Sequence, residues 1–245
     1  MLAGDPKDAA LKIEVLDDAG SAAHRAAELI AGEARAAAQA RGRFTLAVSG
    51  GHTPWQMLRA LAELPLPWSA VQLFQVDERV APAGDADRNL THIRESLLGK
   101  VSLPAGQLHA MPVEDKDLAA AALSYAHELQ TVAGAPPVLD LVHLGLGPDG
   151  HTASLVPGDA ALQVKDADVA MAGPYQGRLR MTLTYPALNR ARRVVFLVTG
   201  ADKAGVLERL CDGDASIPAG RVDRSRAMLI ADRAAAARIE VGAAS

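Results

Sequence analysis

The sequence predicts an α/β fold, an open and mostly parallel sheet with helices on both faces. Two patterns carry that expectation. Short apolar runs read as buried strands, and several are separated by Ala- and Leu-rich stretches whose apolar positions recur every three or four residues. Strands that alternate with helices in this way build βαβ units and a parallel sheet. A chain of 245 residues can also bury one sizeable core without a disulfide or metal staple, so one domain over residues 1–245 is expected.

Taken in order, residues 11–16 form the first apolar run, and 21–41 is the longest helical stretch. The run 44–48 is followed by a glycine-rich turn and a helical pattern over 54–63. The run 71–76 leads through a polar loop to a helical pattern over 89–98, and a further one covers 118–132. The apolar runs 139–144, 194–198 and 227–231 complete the predicted strands, with a helical pattern over 202–210 between the last two. Residues 160–177 are less regular and are expected to be an inserted, partly mobile loop. No internal repeat and no linker divides the chain.

Composition excludes several classes of function. Lys and Arg total 25 against 29 Asp and Glu, and no block of like charge occurs. That balance leaves no footprint for nucleic acid or an anionic membrane, although a few converging cations can still hold a small anion. The single cysteine, Cys211, excludes an intramolecular disulfide and a Cys-rich zinc site. Its acidic neighbours Asp212 and Asp214 disfavour a thiolate, so it reads as a structural residue. Residues 1–10 lack a basic segment followed by an apolar one, and no stretch approaches the ~18 apolar residues of a membrane helix. A cytoplasmic protein is the expectation.

Parallel sheets bind ligands at the carboxyl ends of their strands, so the segments just after each strand matter most. Ser49-Gly50-Gly51-His52-Thr53-Pro54 follows the second run, with Thr53 suited to an N-cap and Pro54 to the first helical position. Such a turn either binds phosphate through free amides or simply joins strand to helix. Asp77-Glu78-Arg79 follows the third run and leads towards Asn89. Alone these charges read as a solvated loop; beside the first segment they acquire a functional reading.

The run 139–144 leads into Gly145-Leu146-Gly147-Pro148-Asp149-Gly150-His151-Thr152-Ala153-Ser154. This contains the G-x-G-x-x-G of dinucleotide sites, but two features oppose that reading. Asp149 would repel a pyrophosphate, and Pro157-Gly158 removes the long helix the motif requires. What remains is a glycine-rich loop with a carboxylate and an imidazole two residues apart, and an imidazole there can act as a general base. His151 and Asp149 are too few to hold a metal. His143 reads as a hydrogen-bonded core imidazole, and His24, His92, His109 and His127 are expected on the surface. Arg180 and Lys203 supply cations, Lys203 again just after a strand.

These segments, in this order, resemble the 6-phosphogluconolactonase family, which shares a superfamily with the glucosamine-6-phosphate isomerases. The pieces are the Ser49–Pro54 turn, Asp77-Glu78-Arg79 with Asn89, the Gly145 to Leu155 loop, Arg180 to Thr184, and Thr199-Gly200-Ala201-Asp202-Lys203. The resemblance implies a Rossmann-like fold and hydrolysis of 6-phospho-D-glucono-1,5-lactone to 6-phosphogluconate, the second step of the oxidative pentose phosphate pathway. It implies neither a metal nor another cofactor, and it makes the sugar-phosphate lactone the small-molecule partner while leaving protein partners open.

By the same resemblance the glycine loop (Ser49, Gly50, Gly51, Thr53), Arg180 and Lys203 hold the 6-phosphate. Asp77, Arg79 and Asn89 join them around the substrate, and His151 serves the lactone. Asp149 is the expected partner of His151, with Asp77 the alternative. Two positions depart from the family pattern: His52 stands where Ser is usual, and Val156 where Phe is common. The isomerase branch is expected to carry a glutamate five residues after the histidine; Val156 occupies that place and cannot transfer protons. A non-catalytic sugar-phosphate binder would need only the phosphate loop and cations, not the Asp149/His151 pair.

Overall fold

A computed structural model of the protein describes residues 11–239. The sequence-predicted absence of a leader over residues 1–10 therefore lies outside the described part. The strands are β1 (Lys12–Leu16), β2 (Phe44–Val48), β3 (Val71–Gln75), β4 (Asp77–Arg79), β5 (Leu108–His109), β6 (Leu141–Leu144), β7 (Val169–Tyr175), β8 (Arg178–Leu183), β9 (Val194–Val198) and β10 (Ala227–Asp232). The α-helices are α1 (Ala19–Arg41), α2 (His52–Glu63), α3 (Asn89–Ile93), α4 (Leu118–Ala133), α5 (Tyr185–Arg190) and α6 (Ala204–Cys211). No helix among the described residues is long and apolar enough to cross a membrane.

Seven strands form one sheet in the order β1–β10–β9–β6–β2–β3–β5, and every pairing in it is parallel. Side chains alternate between its faces, which is why two separate cores form. Phe44, Leu46 and Val48 of β2 pack with α1, α2 and α3, whereas Ala47 faces the opposite core with α4, α5 and α6. In β9, Val195 and Leu197 join the first core and Val194, Phe196 and Val198 the second. The predicted architecture is thus present. β1 departs from the expected burial, because as an edge strand it is only half buried.

α1 shows how an alanine-rich segment folds here. Asp18 accepts a hydrogen bond from the Ser21 amide at 2.7 Å, and Gly42 ends the helix in the left-handed region at φ 71°. Between these caps Ala22, Ala23, Ala26, Ala27, Ile30, Ala31, Ala34 and Ala37 line the buried face at helical spacing. Small side chains let the helix axis approach the sheet closely. The capping geometry moves the helix start to Ala19, two residues ahead of the sequence-based boundary.

A second sheet was not foreseen. β3 ends, and the chain passes through Val76 directly into β4, which pairs antiparallel with β8; β8 pairs in turn with β7. The interval 160–177 is therefore a 3₁₀ turn at Ala160–Gln163 followed by a strand, not an irregular loop. Gln176 and Gly177 both have positive φ (52° and 76°), the geometry of a tight hairpin turn between β7 and β8. β7 escaped notice because its buried and exposed residues do not alternate regularly and a Gly173-Pro174 step interrupts it.

Two of the histidine expectations need correction. His109 is buried in β5, stacked on Phe74, with Nδ1 2.6 Å from Glu128 and Nε2 2.8 Å from Gln72. His143 is in the core as expected, but its hydrogen bonding is incomplete. Nδ1 receives the Ser49 amide at 3.4 Å, and Nε2 has no partner among the described residues. Burial pushes this imidazole down to about 3, so it stays neutral in the fold. The unfolded chain takes up that proton as pH falls below the ordinary histidine range, which favours unfolding in the window between there and the folded value. Lowering pH from 6.5 to 4.5 should therefore cost about 2 kcal/mol through this group alone. Urea unfolding at the two pH values should show a smaller loss for His143→Gln than for the wild type.

Candidate active site

A cleft of about 410 Å³ opens at the carboxyl ends of β2, β3, β6 and β9. The chain reverses its direction of travel across the sheet between β2 and β6, so the loops that follow those strands part there and leave a crevice. Ser49, Gly50, Gly51, Thr53, Asp77, Arg79, Asn89, His151, Arg180 and Lys203 all line it. Asp149 stands behind His151 instead.

The turn after β2 supplies open amides. Gly51, at φ 123°, is the N-cap of α2 and provides no side-chain cap. This corrects the expected placement of Thr53 as N-cap: helix formation begins at His52, and the Thr53 hydroxyl instead bonds Thr199 at 2.6 Å, tying this turn to the one after β9. The amides of Gly50, Gly51, His52 and Thr53 have no protein acceptor among the described residues. Unpaired amides at the start of a helix favour an anion. Gly50 has to lack a side chain, because a Cβ there would collide with the Asn89 carboxamide.

Cations converge beside this turn through the small sheet. In the β4–β8 register Arg79 lies opposite Arg180 and Asp77 opposite Thr182. Arg180 is buried, and its guanidinium is held below its ordinary pKa first by burial and then by the charge of Arg79. Asp77 offsets part of that cost at 4.0 Å. Asp77 also accepts from the Ser154 hydroxyl at 2.7 Å and from the Asn89 carboxamide at 3.3 Å, so its carboxylate organises the cleft floor and does not reach His151. Nε of Arg79 and of Arg180 lack partners among the described residues. Two like charges facing each other with unused donors are stabilised by an anion between them. Lys203, 3.2 Å from Asp202, adds a third cation at the rim.

The loop after β6 presents the imidazole. The Gly147 amide donates to the His151 carbonyl at 2.8 Å and Thr152 closes back on the Gly145 carbonyl at 2.8 Å, so the chain folds on itself where a nucleotide-binding helix would start. The His151 ring covers Gly147 so closely that any Cβ there would overlap it. Asp149 Oδ1 lies 2.6 Å from His151 Nδ1 and also accepts the His151 amide at 3.1 Å. Burial raises the Asp149 pKa, but the hydrogen bonds from His151 outweigh it and hold the carboxyl below its ordinary value. An ionised Asp149 fixes the proton on Nδ1, which leaves Nε2 as the bare acceptor on the cleft side.

Residues 17–231 match the family described as glucosamine-6-phosphate isomerases/6-phosphogluconolactonase. The chain belongs to this family. It is 40% identical over 202 residues to a 6-phosphogluconolactonase of Nostoc sp., covering 81% of this chain and 84% of the relative. A 6-phosphogluconolactonase of Mycobacterium tuberculosis is 37% identical over 241 residues, covering 93% and 98%. Among solved structures, 6-phosphogluconolactonase from Trypanosoma cruzi superposes with a TM-score of 0.84 at 27% identity, covering 94% of this chain and 97% of that one. A monomeric glucosamine-6-phosphate deaminase at 16% identity shares the fold, with a TM-score of 0.79.

Within this 6-phosphogluconolactonase and isomerase family scaffold, several side chains that sequence reasoning missed complete the site. Tyr175, from the interval read as a loop, reaches Asp149 Oδ2 at 3.2 Å. Ser154 and Thr199 were noticed only as motif members, yet they bond Asp77 and Thr53. Asp232 accepts the Gly200 amide at 3.1 Å and so shapes the turn that carries Lys203. Contacts between strands distant in sequence leave no local signal. His52, one of the two departures from the family pattern, lies at the cleft wall and is exposed. Val156, the other, is buried and apolar.

Gly147→Ala should displace the His151 ring and lower kcat/KM by at least about 10²-fold, the scale of misplacing a catalytic group by about 1 Å. Steady-state kinetics would register this, with thermal unfolding as the control that the fold persists.

Proposed function

We propose that this chain hydrolyses 6-phospho-D-glucono-1,5-lactone to 6-phosphogluconate, with His151 as general base. The observation that carries the reading is the Nδ1–Asp149 contact of 2.6 Å, which leaves Nε2 as the acceptor in a cleft that also presents three cations, Arg79, Arg180 and Lys203, and open amides. A lactone is an activated ester, so a positioned water and charge stabilisation suffice. His151 Nε2 takes a proton from water as the oxygen attacks C1. The C1–ring oxygen bond then breaks, and the imidazolium returns the proton to the departing ring oxygen. Loop amides stabilise the oxyanion, with Arg79 contributing.

The 6-phosphate is anchored away from C1 by the amides of residues 50–53, by Arg180 and by Lys203, which orients the carbonyl against the base. Asp149 orients the imidazole and stabilises its protonated form. Asp77 is assigned the positioning of Asn89, Ser154 and Arg180, because its oxygens are engaged there. Val156 argues against ring-opening isomerase chemistry, since an aliphatic side chain cannot relay protons.

His151→Ala should lower kcat by about 10²–10⁴-fold in a lactonase assay corrected for spontaneous hydrolysis. Near-wild-type kcat in that variant would refute the assignment. Arg180→Met should act mainly on KM, raising it by about 10- to 100-fold through loss of a charge-assisted contact. Wild-type enzyme given glucosamine 6-phosphate should release no ammonia and form no ketose.

A further inference from the structure

We infer that Tyr175 is a positioning residue that locks Asp149 onto His151 and ties this pair to the guanidinium of Arg180. The inference rests on the reading of His151 as the base and adds a residue behind it. Asp149 needs such an anchor. Its side chain is 34% exposed, and His151 occupies only one of its oxygens, Oδ1. The other, Oδ2, receives just one donor among the described residues, the Tyr175 hydroxyl at 3.2 Å. Without that donor the carboxylate can rotate, and Nδ1 loses the partner that sets its tautomer.

The ring of Tyr175 makes two further contacts. Its plane stands at 66° to the His151 imidazole with centroids 5.2 Å apart, an edge-to-face arrangement. The Arg180 guanidinium carbon sits 5.0 Å from the Tyr175 ring centre, a cation–π geometry. Arg180 also donates to Gln176, the next residue, at 3.4 Å. One side chain thus touches the imidazole, its carboxylate and a cation assigned to the phosphate. The hairpin turn that places it carries a non-glycine residue, Gln176, at φ 52°. The other ionisable groups lining the cleft with His151 are Asp77 and Arg79 of β4, His52 at the start of α2, and Lys203 in the turn after β9.

Tyr175→Phe removes the hydroxyl and keeps the ring. In the wild type the hydroxyl holds the carboxylate against Nδ1, so its loss lets Asp149 turn away and withdraws support from the protonated imidazole. The His151 titration midpoint, followed by NMR of the ring in the free enzyme, should fall. The acid limb of kcat/KM should move down with it. In the same variant kcat should fall about 3- to 10-fold, the scale of one hydrogen bond, with KM unchanged. Tyr175→Leu should show these effects and also raise KM about 3- to 10-fold, because Arg180 loses the ring face. A His151 midpoint and kcat in Tyr175→Phe equal to the wild type would overturn the role of Tyr175. So would losses in both variants that only follow their melting temperatures. An active His151→Ala enzyme would overturn the base assignment alone, since the NMR midpoint reads the Tyr175 link without turnover.

Discussion

Glu78 is a carboxylate with no exposed surface, and the cleft depends on how its charge is satisfied. A buried ionised group is very costly unless hydrogen bonds replace water around it. Here the Asn89 amide donates at 2.7 Å, the Leu90 and Arg79 amides at 2.8 Å each, and the Gln75 carboxamide at 2.8 Å. The buried Arg88 guanidinium lies 3.2 Å away. These donors come from the end of β3, from β4 and from the start of α3. One anion therefore gathers the seam between the two sheets. Its demands set where Asn89 meets Gly50 and where Asp77 and Arg79 enter the cleft.

A mildly acidic chain assembles a cationic cleft through the same seam. Charge balance over the whole chain, −4, conceals it, because local arrangement decides what a pocket attracts. Arg79 and Arg180 are brought face to face by an antiparallel register, a contact that is unfavourable until an anion arrives. On the proposed reading a bound phosphate relieves that repulsion, and the unliganded fold bears the cost of holding the two cations together. Asp149, shared between His151 and Tyr175, stands behind the imidazole and does not line the pocket.

Six of the seven strands of the large sheet were legible from sequence because they are apolar runs, interrupted by charge only in β1, and the helices between them have a strong period. The seventh, β5, is two residues long and left no such run. The core histidine of β6 and the turns after β2, β6 and β9 followed from the same reading. The small sheet was not legible. β4 is three charged residues, Asp77, Glu78 and Arg79, that satisfy no strand pattern, and β7 lacks regular alternation. Their partners are supplied only by tertiary contact. For the same reason Asp149 and Asp77 stood as alternatives beside His151 until distances separated them. Spacing of two residues placed Asp149 near the imidazole, but no spacing rule reveals that Asp77 is occupied by Ser154, seventy-seven positions later. Tyr175 lay in the interval with the weakest pattern and gave no signal at all.

The edge strand β1 has a consequence for synthesis. Its neighbour in the sheet is β10, with Lys12 level with Met228, so the first strand described pairs with the last. During translation β1 emerges long before β10 exists and waits with its backbone groups unpaired, which is the condition for pairing with another nascent chain. Lys12 and Glu14 interrupt its apolar residues. Charges in such a strand act as gatekeepers against that error. The modest burial of β1 is then a safeguard for the ribosome-bound chain, and closure of the sheet awaits the arrival of β10.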